Sequence, residues 1–63
     1  MISAENFINL SKRQAQNLAE ANYMIFRLIS DNGENILGYP EDTRNDRVCV
    51  KVENERVTEA IIQ

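Results

Sequence analysis

The chain has no histidine, and that removes much chemistry at once. Histidine is the commonest general base, proton shuttle and metal ligand at neutral pH. A single cysteine, Cys49, leaves no internal disulfide and falls short of the four nitrogen or sulfur ligands that structural zinc requires. A chain held together without a disulfide suits a reducing compartment, and the cytoplasm is the expected location. Glycine is scarce, and Gly33 and Gly38 stand apart, so no phosphate-cradling loop is present. With one proline, there is no sign of a linker or a low-complexity tail. No apolar run approaches the ~18 residues of a membrane span. The opening MISAENFINLSKR lacks a basic stretch followed by an apolar one, so a signal peptide is not expected.

Charge points the same way. The net charge is −3, and the only adjacent basic pair is Lys12-Arg13. The aromatics Phe7, Tyr23, Phe26 and Tyr39 are not interleaved with basic residues. A phosphate backbone would find neither a basic track nor a stacking platform, so nucleic acid is not an expected partner. Glu41, Asp42 and Asp46 cluster in sequence, but paired catalytic carboxylates need a pocket that sets their pKa values apart. Sixty-three residues bury only about 60% of their unfolded surface and leave little room for such a pocket. Cys49 has no obvious base beside it and reads as a small filler on a strand. The expectation is one domain over residues 1–63, with no catalytic residues, no cofactor and no metal, that binds other proteins by its surface.

What is present is ordinary globular composition, with 43% hydrophobic and 27% charged residues. Residues 1–9 are ambiguous: Ser3 can cap a short turn, and Ile2, Phe7 and Ile8 can pack on a core. Ser11-Lys12-Arg13-Gln14 is a capping box, with Leu10 and Ala15 spaced as a hydrophobic staple. The segment KRQAQNLAEA is rich in helix formers. A helix is predicted over 12–21, with Ala15, Leu18 and Ala19 on its apolar face and Asn22 as a left-handed stop.

The run YMIFRLI predicts a strand over 23–29, nearly continuously apolar as in parallel pairing. Ser30-Asp31-Asn32-Gly33 is turn chemistry. From there to Thr43 no period is visible, and a loop over 31–43 is predicted. Val48, Val50 and Val52 alternate with Arg47, Cys49 and Lys51, giving a strand over 46–52 with one dry face. A turn at Glu53-Asn54-Glu55 leads to a strand over 56–62, hairpin-paired with the one before. The class is α+β: one helix on a small mixed three-stranded sheet with a long exposed loop.

The stretch DTRNDRVCVKV places Arg44 and Arg47 at the base of that loop. A strand is a stiff platform, and an arginine on it can fork hydrogen bonds to a carboxylate or to loop carbonyls. Such bonds would hold the loop extended before it meets a partner. The plainer reading is a solvated polar face, where exposed pairs contribute about 0–1 kcal/mol.

From Ile8 onward the chain resembles the potato inhibitor I family of serine-protease inhibitors, which includes the eglins and the chymotrypsin inhibitors of seeds. Arg44-Asn45-Asp46-Arg47-Val48 resembles the family's R-x-x-R-[VL] pattern, FRLIS its first strand and VKVENERVTEAII its last hairpin. The resemblance implies an exposed reactive loop over 38–44, in which Tyr39, Pro40, Glu41, Asp42 and Thr43 meet the protease. It also implies a scissile bond between Glu41 and Asp42, and bracing by Arg44 and Arg47. The chain departs from the family pattern at Cys49, where a second bracing arginine is common. It departs again at Glu41, where an apolar residue is usual, and at Pro40, which replaces a threonine. The other class of function open to the sequence is a non-inhibitory adaptor or regulator on the same fold. Such a module would bind through its helix face or a sheet edge, or associate with itself.

Overall fold

A computed structural model describes residues 2–63. The chain opens with a 3-10 turn, Ala4–Phe7, preceded by Ser3, whose N–H and Oγ donate to Asn6 Oδ1 at 2.8 and 3.2 Å. Helix α1 runs Lys12–Ala21, as the capping box predicts. Gln14 N–H donates to Ser11 Oγ at 3.1 Å, and Ser11 N–H donates to Gln14 Oε1 at 3.0 Å. Four strands follow: β1 Ile25–Asp31, β2 Glu34–Asn35, β3 Arg47–Glu53 and β4 Arg56–Ile62.

The sheet order is β2-β1-β3-β4, with β1·β3 parallel and the outer pairs antiparallel. The α+β class stands, but the sheet has four strands rather than three. The additional strand comes from Asn32 (φ 51°) and Gly33 (φ 82°), which close a two-residue hairpin of the left-handed kind that matches strand twist. Residues 31–35 are therefore a hairpin, and the predicted loop over 31–43 shifts to residues 36–46.

Other boundaries move for local reasons. Tyr23, predicted to begin the first strand, instead turns the chain out of the helix with φ 58° and is 93% exposed. Asn22, predicted as the left-handed stop, has φ −109° and caps with its side chain, donating to the Leu18 carbonyl at 2.9 Å. A helix-to-strand connection this short needs a left-handed residue, and here it falls one place late. β3 begins at Arg47 and includes Glu53. The turn behind it is Asn54-Glu55, both with positive φ.

The core lies between α1 and the sheet. Phe7, Ala15, Ala19, Val48, Val50, Val52 and Val57 are at most 1% exposed. Leu10, Leu18, Phe26 and Leu28 pack around them. Ala15 and Ala19 let the helix approach the sheet closely. Phe7 fills the end of the core, so the ambiguous first residues belong to the fold. Ile8 does not pack as expected and is half exposed.

β3 is dry on both faces from Arg47 to Val50, not on one. The valines face the helix. Arg47 and Cys49 lie on the opposite face, where residues 36–42 return across the sheet and shield them. Both edges of β4 are occupied: β3 lies on one side, and Asn9, Leu10 and Ser11 on the other. Asn9 N–H donates to the Val57 carbonyl and Val57 N–H to the Leu10 carbonyl, each at 2.8 Å.

Candidate functional site

The loop over 36–46 leaves the edge of β1 with Ile36 N–H and Leu37 N–H donating to the Ile29 carbonyl. Arg27, on the face of the sheet that the loop crosses, donates from Nε to the Gly38 carbonyl at 2.8 Å. The ring of Tyr39 then lies 5.7 Å from Lys51 Nζ, a cation–π contact, and Lys51 also pairs with Glu59 at 3.4 Å. The path from Ile36 to Tyr39 is therefore laid against strands. Pro40, half buried, ends it. The next five residues, Glu41 to Asn45, are all exposed and form the projecting tip.

The tip is held from below by Arg47. This side chain is 7% exposed, and its guanidinium is spent in full view of the loop. Nη2 donates to the Asp42 carbonyl at 3.0 Å and to Asp42 Oδ1 at 3.1 Å. Nε donates to the Gln63 carbonyl at 2.9 Å, and Gln63 N–H donates back to the Arg47 carbonyl at 3.2 Å. A single planar group thus joins the loop tip, the centre of the sheet and the end of β4. Planarity matters: the fork fixes the direction of the Asp42 carbonyl as well as its distance.

Asp42 is exposed, yet its pKa lies below its usual 3.8, chiefly through the Arg47 hydrogen bond and then through its own backbone N–H. Arg44 plays a different part. Nε and Nη2 donate to the two carboxylate oxygens of Asp46 at 2.7 and 2.9 Å, closing the base of the tip on itself. That bond lowers the Asp46 pKa and raises that of Arg44. Arg44 makes no hydrogen bond to Asp42; it stiffens the turn into β3, and Arg47 carries the link to the tip.

Of the residues that the sequence singles out, Tyr39 and Pro40 lie against the sheet, while Glu41, Asp42 and Thr43 project. Arg27 was not singled out, although it holds the first half of the loop as Arg47 holds the second. The signal was the one charge in an otherwise apolar strand, YMIFRLI, which had to find a partner near that strand. Cys49, at the place of a second bracing arginine, is buried beneath the crossing loop with no bond to the tip. The hollow beside the tip, lined by Thr43, Arg44, Asn45, Asp46 and Ile62, is open to solvent. Among the described residues no cluster of three acidic or cysteine side chains is placed to hold a metal ion.

These features define a small α+β domain that presents a short, doubly anchored loop. No family model, no curated protein and no solved structure matches the chain.

Proposed function

We propose that this chain is a protein-binding domain that acts on a serine protease through residues 38–44, offered in a substrate-like form that resists turnover. One observation carries the reading: buried Arg47 grips Asp42 by both its carbonyl and its carboxylate, from a strand at the middle of the sheet. A loop fixed in this way gives up little conformational freedom on binding. If its backbone is cut after Glu41, the new ends stay beside each other, because Arg47 holds one side and Arg27 the other. Religation then competes with release.

Glu41 would enter the primary pocket, which points to an enzyme with a basic pocket. The reading assigns the chain no reaction of its own, no cofactor and no nucleic-acid partner. A reducing, cytoplasmic setting agrees with the buried free thiol of Cys49. Among the described helices none is long and apolar enough to cross a membrane.

The test is inhibition of glutamate-specific and broad-specificity serine proteases by the native chain and by Arg47→Ala. Slow tight inhibition by the first, and conversion to a cleaved substrate in the second, is the expected pair of results. A native chain that inhibits none of them at micromolar concentration, or is cut rapidly elsewhere, favours the second reading. That reading is a non-inhibitory interaction module, and the crossing of the loop over the sheet from Ile36 to Tyr39 favours it: only a five-residue tip is left to project.

A further inference from the structure

The two edges of the sheet are treated differently. β4 is sealed by Asn9 to Ser11, whereas β2 covers only Ser30 and Asp31 of β1. Ile25 N–H points inward, to the Asp46 carbonyl at 2.7 Å, so by alternation the backbone groups of Phe26 and Leu28 point outward. Among the described residues no backbone bond takes them up beyond the sheet. The flanking surface is apolar: Ile25, Ile36 and Leu37 are each nearly half exposed, and Tyr23 almost wholly so. Proteins usually blunt such an edge with lysine, proline or a cover. Here the single charge between Ile25 and Leu28 is Arg27, whose Nε is turned onto the Gly38 carbonyl and so away from the edge.

We propose that the edge of β1 pairs antiparallel with the same edge of a second copy of the chain, with Phe26 on the two-fold axis. Charge selects the register, and the fit of the edge to itself in that register points to a second copy as the occupant. Outward groups recur at every second residue, so a two-fold axis can pass through Phe26 or through Arg27. An axis at Arg27 sets two guanidinium stems opposite each other, which is destabilising. An axis at Phe26 pairs Phe26 with Phe26, Ile25 with Arg27 and Met24 with Leu28, and no pair repels. The edge is thus complementary to itself, as an isologous contact requires. Phe26 exchanges a reciprocal pair of hydrogen bonds with its counterpart, and Leu28 N–H meets the Met24 carbonyl. The two sheets become one of eight strands. A contact this short belongs to the small class of interfaces, so the dimer dissociates on dilution.

Sedimentation across a concentration series tests the pairing, with circular dichroism confirming that each variant is folded. Native chain should approach twice the 7.3 kDa of one chain at high concentration. Ile25→Lys, facing Arg27 of the second copy, should weaken dimerisation about tenfold through two symmetric repulsions. Ile25→Glu should strengthen it by forming an ion pair in the same place. A synthetic chain with an N-methyl group on Phe26 keeps every side chain and should be monomeric. A native chain that stays monomeric throughout overturns the proposal. So does a dimer that ignores N-methylation, or one that Ile25→Lys and Ile25→Glu weaken alike. A monomer whose edge takes up an added peptide strand instead would assign the edge to a foreign partner.

Discussion

At the residue scale the molecule turns on Arg47. Its removal strands the Asp42 and Gln63 carbonyls and leaves a hole under the tip. Arg47→Ala should lower stability by about 1–3 kcal/mol, since the carbonyls lose donors but can recover some water. Chemical denaturation measures that loss. Limited proteolysis should show faster cutting between Glu41 and Asn45, and Arg47→Lys should restore little, because a point charge cannot fork. Acid should act at the same place. Asp42 and Asp46 have folded pKa values below the usual 3.8, so the stability they contribute is present above that value. It fades as pH falls through their lower folded values. Because both are exposed, the effect is on the loop more than on global stability. Carboxyl NMR titration should find Asp42 protonating at lower pH in the native chain than in Arg47→Ala. Equal midpoints would mean that the bond is not made in solution.

At the element scale, the structure rewards strong local signals and penalises short ones. The helix was legible to the residue because Ser11 and Gln14 mark its start chemically and nine of the ten residues from Lys12 to Ala21 are good helix formers. β4 was legible from period and turn. β2 was not: Glu34-Asn35 has no strand propensity, and only the Asn32-Gly33 turn and two backbone pairings make it a strand. The 3-10 turn around Phe7 was legible only as a cap at Ser3 and an apolar anchor at Phe7, since a single anchor has no period to fix an element's bounds. That Arg47 could fork hydrogen bonds to the loop was legible from its place at the start of an alternating strand, beside the plainer reading of a solvated face; its bond to Asp42 in particular was implied by the family resemblance. Burial of that face was not legible, because it depends on where a loop far along the chain comes to rest.

Two turns give element-scale tests. Glu55 holds φ 65° without being glycine, a conformation that costs a side-chain residue roughly 1–2 kcal/mol. Glu55→Gly should therefore raise stability by about 0.5–1 kcal/mol, after the entropy that glycine brings to the unfolded chain. Gly33→Val, at φ 82°, should do the opposite and loosen β2. Thermal melts distinguish the two directions. Asn32 links these turns: its side chain accepts from Asn54 N–H at 2.8 Å, so damage at one should be felt at the other.

At the scale of the whole molecule, one small core serves several distant segments. Phe7 is fully buried and meets strands from the far end of the sequence. Phe7→Ala should cost about 3–5 kcal/mol, a large part of what a domain of this size has. Loss of a cooperative melting transition is the expected reading. Truncating Leu18 or Phe26, which only border the core, should cost less than Phe7, towards the lower end of about 2–5 kcal/mol.

The central strand also orders events in time. β3 is the only strand that both β1 and β4 touch, and it is encoded late, after helix, first strand and loop. While the chain is being made, α1 and β1 emerge with nothing to pack on, and Phe7 and Phe26 stay wet. β4, which follows β3 in chain order, seals the segment Asn9 to Ser11 through Val57. The nascent chain therefore has no stable half-way form. Until β3 and β4 have both emerged, neither the parallel crossover nor the Val57 seam can close, and the apolar faces of α1 and β1 stay exposed.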